Sequence, residues 1–481
     1  MAHPSTGSPP TPPPVGSSTA TALGAGRLPW ERWPGFRPRP LLARITLSPA
    51  QTILVGFAGL ILVGTVLLML PAATEDGRPA PFLDALFTAT SATCVTGLVI
   101  YDTADHWSTF GELVILGLIQ LGGFGYMTST ILFALLLGRR IGLRERVLLQ
   151  ESVSYGQLGG VVRFTRTLIL VTLAIEGAGA LLLAARWIPT EGLGRGLYWG
   201  VFHAVSAFNN AGFDLLGGFR SLTPYVTDVP VNLTLAALIV LGGLGFGVLQ
   251  DVTNRDRRLA LHTRIVLATT AALLAAGTAG VLLFEFANPH TLGPLGWPGK
   301  VLAAFFQSVT PRTAGFNTVA IGQLYDPTLM LIIVLMFIGG SPGGTAGGIH
   351  TTTFVAPMAV ILAMLRGHPD PVLFRRRLPP VIVYKAVTIA LLSVAFVVSM
   401  SILLSLVQRV DFLPALFEVV SGFGTVGLST GLTPQLTAAG KGIIILTVYT
   451  GRVGLLTLAF GLTRRQRRLP FRYPEEPIYV G

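Results

Sequence analysis

The chain has 481 residues, of which 51% are hydrophobic and only 12% are charged, a composition that excludes an ordinary soluble protein. Its net charge is +12, and in a membrane protein such an excess usually lies in loops that set topology, so nucleic acid is not an expected partner. The single cysteine, Cys94, excludes an internal disulfide and a CxxC metal site, and we interpret it as a small filler in a tight loop.

The two ends of the chain are polar. Residues 1–45 are rich in Pro, Gly and Ser, lack the apolar core of a signal peptide, and become basic next to the first apolar run. They are predicted to form a disordered cytoplasmic tail. Residues 465–481 are predicted to form a second, basic cytoplasmic tail.

Between the tails one plan occurs four times: an apolar span, a short helix, a glycine loop and a second span. The spans have about the 20 residues that cross a bilayer as a helix, and the short helices do not. First spans are predicted at 52–70, 168–188, 265–286 and 381–406, short helices at 82–92, 196–208, 300–309 and 413–423, and second spans at 113–137, 231–249, 327–365 and 442–462. The domains are repeat 1 (46–145), repeat 2 (160–252), repeat 3 (260–366) and repeat 4 (378–464). The predicted fold class is an all-α polytopic membrane protein, with eight spans and four re-entrant half-helices around one pseudo-four-fold path.

Each loop has a glycine after small or hydroxyl-bearing residues, with a phenylalanine ten residues upstream. The four glycines lie 115, 103 and 112 residues apart. Carbonyl oxygens of buried loop backbone can replace the water shell of a cation, so we predict a selectivity filter made of backbone carbonyls only. The predicted filter residues are Val95, Thr96, Gly97, Asn210, Ala211, Gly212, Thr313, Ala314, Gly315, Thr425, Val426 and Gly427. The competing interpretation is four packing glycines that bind no ligand.

Glycine clusters also recur in the second spans, and two of them depart from the shared pattern. In repeat 3 a run that no helix can continue through interrupts the span: Gly339, Gly340, Ser341, Pro342, Gly343, Gly344, Thr345, Ala346, Gly347 and Gly348. We predict a break there that faces the pore as a gate, together with Arg452, which takes a glycine position in the last span. The alternatives are a packing kink and an arginine that reaches the inner surface. A phosphate-binding loop is not predicted, because it would require a lysine and a preceding strand and neither is present.

Three buried-looking polar residues are weaker candidates. Glu176, Glu285 and His350 are interpreted as satisfied interior or interfacial groups, although a proton-coupled carrier would need such residues.

The placement of lysine and arginine tests the topology. Of the 34 basic residues, 25 fall on one side of the predicted spans and 7 on the other. Because basic loops remain in the cytoplasm, both termini are predicted to be cytoplasmic, with the half-helices entering from outside.

These motifs resemble the membrane subunit of the Trk/Ktr/HKT superfamily of potassium transporters, closest to the KtrB type. The resemblance covers about residues 45–465 and rests on four stretches: 90–98, 311–318, 339–348 and 451–457. It implies a multi-pass cell-membrane protein for potassium uptake, with K+ as substrate, no covalent cofactor and Na+ as a candidate activator. It also implies a membrane homodimer and a KtrA-like cytoplasmic ring of KTN/RCK-type subunits that carries the regulating nucleotide. Gly97 favours potassium, since serine at that position goes with sodium transport in the plant branch.

The competing function is a secondary carrier with broken helices. Such carriers usually have two inverted repeats, and four repeats of the same sense argue against one. The chain also lacks a nucleophile–base set, a metal cluster and a nucleotide fingerprint, so it is not predicted to be an enzyme.

Overall fold

The computed structural model of the chain describes residues 49–125, 161–253 and 259–455, together with residues 457, 458 and 476. The tail predicted at 1–45 lies outside these ranges, as does the tail predicted at 465–481 apart from residue 476. The end of repeat 1 beyond residue 125 also lies outside them.

The described part of the chain is almost entirely helical, which confirms the predicted all-α class. Its one strand pair is a short antiparallel hairpin in which Val372–Leu373 pairs with Arg376–Arg377. One-turn 3-10 helices and the short helix Thr103–His106 lie in the connections; the 3-10 turns are Pro71–Ala73, Thr223–Tyr225, Ile321–Gln323 and Thr433–Gln435.

The first helix of each repeat is long enough to cross a bilayer. These helices are Pro49–Leu68, Val161–Glu191, Leu261–Glu285 and Pro380–Gln408. Many of their large apolar side chains are uncovered, for example Leu181 (68% exposed) and Leu283 (76% exposed). So much uncovered apolar surface on four helices is stable only against lipid or another apolar partner.

A short helix, here called the pore helix, follows the first helix in every repeat. The pore helices are Phe82–Thr93, Leu193–Phe208, Trp297–Val309 and Phe412–Phe423. Their C-terminal halves are buried, and they form the centre of the fold rather than its lipid-facing shell.

The second helices are shorter than predicted. They are Thr109–Phe124, Val229–Leu244, Asp326–Phe337 and Ala438–Val453. In repeats 1, 2 and 4 the helix ends at a glycine with positive φ: Gly125 (76°), Gly245 (91°) and Gly454 (87°). The continuous helix predicted over 231–249 is therefore wrong, because the chain turns by 99° at Gly245 into Phe246–Thr253.

Close packing explains why the residue at this turn is a glycine. A Cβ on Gly245 would lie 2.7 Å from the carbonyl oxygen of Pro342, so the glycine-rich run of repeat 3 packs directly against the backbone of the turn. Repeat 3 itself breaks between Phe337 and Thr351, where its last helix, Thr351–Leu365, begins. Among the described residues, four helices reach span length, or five with the bent pair, where eight spans were predicted.

Second-helix glycines set how closely the helices pack around the centre. A Cβ on Gly122, Gly242 or Gly451 would come closer than 3.0 Å to the carbonyl oxygen of Thr93, Phe208 or Phe423, respectively, near the C-terminus of the pore helix in the same repeat. Small residues permit such close helix contacts in membranes. The ring of repeats closes where the hydroxyl of Tyr449 in repeat 4 donates to the carbonyl of Leu54 in repeat 1 at 2.7 Å.

Candidate functional site

The four glycine loops have one backbone conformation in common. Each follows the C-terminus of a pore helix, and both its glycine and the residue two positions earlier have positive φ. The earlier residues are Val95 (59°), Asn210 (60°), Thr313 (74°) and Thr425 (50°). A left-handed conformation at a residue other than glycine costs about 1–3 kcal/mol and persists only where the surroundings impose it, typically at functional sites. Four such residues at matched positions show that the loops are copies of one structural motif.

The N–H groups of the loops point back toward the pore helices. The backbone N–H of the residue before each glycine donates to a backbone carbonyl at the C-terminal end of the pore helix. These bonds join Thr96 to Ser91 (2.8 Å), Ala211 to Ser206 (2.7 Å), Ala314 to Thr310 (2.9 Å) and Val426 to Ser421 (2.8 Å). In repeats 1 and 4 the glycine N–H groups also donate, at 3.1 Å, to the Ser91 and Ser421 hydroxyls. With the donors engaged behind the loop, its carbonyl oxygens remain for a ligand.

The loops meet in a closed ring. A Cβ on any of the four glycines would come within 3.0 Å of the carbonyl oxygen just before the next loop's glycine: Gly97 meets Ala211, Gly212 meets Ala314, Gly315 meets Val426 and Gly427 meets Thr96. The contacts run from repeat 1 to 2, 2 to 3, 3 to 4 and back to 1, so the loops surround a single axis in that order.

Side chains of the pore helices brace the loops from behind. In repeat 2 the hydroxyl of Ser206 donates to the carbonyl of Phe213 at 2.7 Å, and in repeat 3 Thr310 donates to Phe316. The Asn210 amide lies 3.3 Å from the hydroxyl of Thr313 and so connects loops 2 and 3. These bonds hold the strained backbone in place.

Two further residues that the sequence analysis missed, His203 and Glu418, also brace the loops. His203 Nε2 accepts from the N–H of Leu215 at 3.3 Å, and Glu418 Oε1 accepts from the N–H of Thr430 at 3.0 Å. Both side chains are fully buried and stand nine residues before their loop glycine, while the bonded N–H lies three residues after it. A comparison of the repeats position by position would have found the pair, because each is a polar residue within an otherwise apolar stretch of pore helix.

The ring presents backbone carbonyls, a type of ligand that can replace the water shell of a monovalent cation. All twelve predicted filter residues lie in the four loops that the structure brings together, and the carbonyls of Thr96, Ala211, Ala314 and Val426 lie against the neighbouring glycines. Four pore helices end at the ring, and the negative ends of their dipoles favour a cation there. No carboxylate belongs to the ring, so carbonyl dipoles would supply the field.

A cavity of about 270 Å³ opens on one side of the ring. All four loop glycines line it, together with residues that follow the loops, including Asp102, Asp214 and Asn317. A space of this size can hold a hydrated cation with further water.

The predicted gate lies on the other side of the ring, in residues 338–350, here called the Gly-rich segment. Its Ser341 N–H donates to the carbonyl of Gly243 in repeat 2 at 2.9 Å, and its Gly348 N–H donates to Gly451 in repeat 4 at 3.4 Å. Repeats 2 and 4 are the two neighbours of repeat 3 in the ring, so the segment bridges the second helices on both sides of its own repeat. It also reaches the filter itself, because a Cβ on Gly347 would collide with the side chain of Thr425.

Arg452 is partly buried beside this segment. Its Nη1 donates to the carbonyl of Thr345 in the Gly-rich segment, and its Nη2 donates to the carbonyl of Gly122 in repeat 1 at 2.5 Å. One guanidinium thus ties the segment to two neighbouring second helices. The structure places the remaining predicted gate residues in the same segment, with Ser341, Ala346 and Thr345 buried.

The weaker candidates have local roles. Glu176 accepts from the Asn209 amide at 2.9 Å and from Gln120, behind loop 2. Glu285 is buried and accepts from the hydroxyl of Thr328 at 2.5 Å and from three other donors. His350 ends the Gly-rich segment, where its Nδ1 has no partner among the described residues.

Comparisons with known proteins agree on one family. The family described as TrkH, cation transport protein, matches residues 49–466. The chain is 43% identical to the Ktr system potassium uptake protein B of Bacillus subtilis over 91% of this chain and 98% of the relative. It is 39% identical to the potassium/sodium uptake protein NtpJ of Enterococcus hirae, with the same coverage of 91% and 98%. The crystal structure of the potassium transporter TrkH from Vibrio parahaemolyticus has the same fold, with a TM-score of 0.68 at 18% identity, over 88% of this chain and 86% of that one.

Proposed function

The chain belongs to the TrkH family of cation transport proteins, and on this premise we propose that it takes up potassium across the cell membrane through a channel-like pore. The prediction of a transporter rather than an enzyme is confirmed by that membership. The observation that carries the proposal is the closed ring of four glycine loops. Its carbonyls would replace the water shell of K+, and the size and field of the ring would select the ion.

The ion path follows from the parts around the ring. A hydrated cation enters the cavity, loses water to the loop carbonyls, and then meets the Gly-rich segment on the far side of the ring. The segment is the gate of the proposal. It obstructs the path sterically, and the charge of Arg452 opposes a cation at the same level.

Regulation requires something that moves the gate. The segment is continuous with the helix Thr351–Leu365, so a cytoplasmic partner that pulls on this helix would displace it. The proposal includes a KtrA-like ring of nucleotide-binding subunits as that partner, a homodimer in the membrane, and both termini in the cytoplasm. The exposed arginines of the 372–377 hairpin support it, since they lie at the inner side in this topology.

The test measures ion uptake and selectivity in a potassium-uptake-deficient strain and in vesicles. The wild-type chain should restore growth on low potassium, and Gly97→Ser should lower the preference for K+ over Na+ by about tenfold, equivalent to ~1.4 kcal/mol. The added side chain would collide with the Ala211 carbonyl and distort the ring.

Gly59→Ser is the matched control. Gly59 lies in the first helix of repeat 1 with no atom within 4 Å of its added Cβ, so this variant should retain wild-type selectivity. Unchanged reversal potentials in mixed K+ and Na+ for serine at all four loop glycines would contradict the assignment of the ring as the filter. The same measurement decides whether Na+ also passes.

A further inference from the structure

The cavity above the ring is not symmetric in charge, although the ring beneath it has four equivalent loops. The residues two positions after the loop glycines all line the cavity: Val99, Asp214, Asn317 and Ser429. Only the second of these is acidic. A single carboxylate therefore stands two residues from the filter, at the position where the other repeats have an apolar or neutral side chain.

Asp214 is held in place by its own loop. Its Oδ1 accepts from the N–H of Leu216 at 3.1 Å, and the side chain is partly buried beside Ser221. The residues around it adopt strained backbone, with positive φ at Phe219 (53°) and Ser221 (47°). The loop is thus built around a fixed carboxylate that faces the cavity.

The other charged side chains near Asp214 form hydrogen bonds within the loops. Asp102 and Asp105, in the loop after the first glycine, accept from the N–H groups of Phe219 (2.6 Å) and Gly218 (2.9 Å). Arg220 donates to carbonyls of its own loop. The carboxylate of Glu418 lies behind the fourth loop, and the imidazole of His203 lies beneath Leu215. The loop after the third glycine contributes the neutral Asn317 to the cavity.

We propose that Asp214 is the cation-capture residue of the pore mouth: its carboxylate draws a hydrated monovalent cation into the cavity and holds it above the ring before dehydration. This inference rests on the proposed function and adds to it a step that the carbonyl ring alone does not provide. A fixed negative charge at a narrow entrance raises the local cation concentration and the rate of entry.

The experiment measures the K+ concentration dependence of uptake by the full-length protein at one fixed external pH. Asp214→Asn should raise KM by roughly tenfold with little change in the maximal rate, because the variant lacks the fixed negative charge that attracts the cation. Asp76→Asn removes an exposed carboxylate that does not line this cavity, so its KM should match the wild type.

Relocation of the charge separates capture from a purely structural role of the loop. In the Asp214→Asn background, Asn317→Asp or Val99→Asp places a carboxylate at the equivalent position of another repeat, and either should restore a low KM. Failure of both double variants to lower KM, or a wild-type KM in Asp214→Asn, would overturn the inference while leaving potassium transport intact. A wild-type chain that transports no K+ would instead refute the proposed function.

Discussion

Asp84 and Lys441 form a nearly buried ion pair that no local pattern in the sequence indicates. Lys441 Nζ lies 2.5 Å from Asp84 Oδ1, the side chains are 15% and 7% exposed, and the hydroxyl of Tyr101 donates to the other carboxylate oxygen at 2.6 Å. The pair joins the pore helix of repeat 1 to the second helix of repeat 4 and so fastens the closing contact of the ring.

Loss of the lysine should therefore destabilise the protein. Lys441→Met leaves the Asp84 carboxylate buried without a counter-charge, which costs about 3 kcal/mol, and the midpoint of thermal unfolding in detergent should fall by several degrees. Asp84→Asn in the same background should recover part of the loss, since it removes the unpaired charge. The control is Lys385→Met at an exposed lysine, where we expect a change within about 0.5 kcal/mol. Equal midpoints for Lys441→Met and this control would contradict a stabilising pair.

At the scale of single residues, the sequence predicted the repeated loops and two departures from the repeat, but not the side chains around them. The loop glycines could be found because the same spacing occurs four times. Asp214 was missed because it lies two residues beyond the repeated loop motif, and the partners of Arg452 could not be found because they are 107 and 330 residues away in the chain.

The Gly-rich segment is the element on which control of transport depends in the proposed function. Its bond to Arg452, which also donates to Gly122 in repeat 1, and its bonds to repeats 2 and 4 hold it in place. Arg452→Ala removes both guanidinium bonds and one repelling charge, and deletion of Ser341–Thr345 removes the part of the segment that contacts Gly243. Both changes should raise potassium flux several-fold and make it less dependent on a partner subunit.

The measurement is K+ flux into vesicles at matched protein density, with correct folding checked by size-exclusion chromatography. Arg366→Ala, at an exposed arginine of the same protein, is the control and should leave flux unchanged. If both gate variants are well folded yet have wild-type flux under wild-type control, the segment is a packing kink.

The apolar composition predicted that each helix exists more accurately than it predicted where each helix ends. The first helices lie close to their predicted bounds because a long apolar run permits little else. The second helices end early at Gly125, Gly245 and Gly454. At Gly245 the turn packs against Pro342, a residue 97 positions away that no local pattern locates.

At the scale of the whole molecule, charge is distributed so that one face is suited to an acidic partner. Arg264 and the hairpin arginines Arg375, Arg376 and Arg377 are exposed and line a broad cavity of about 740 Å³. By the topology of the proposal this face is cytoplasmic, opposite the mouth of the pore. In the proposed function, the partner at this face is a second, nucleotide-binding chain.

Neutralising the hairpin arginines should weaken the binding of that partner chain. A triple change to glutamine at residues 375–377 removes three exposed charges, so less of an acidic cytoplasmic subunit should co-purify from membranes, and the difference should shrink as salt screens the remaining attraction. The matched control is Arg195→Gln, an exposed arginine on the opposite face, which should leave recovery unchanged. Flux should become insensitive to the nucleotide in the triple variant while the wild type responds. A full response to nucleotide in vesicles that contain no second chain would contradict this assembly, because the regulating site would then have to lie in the transporter itself.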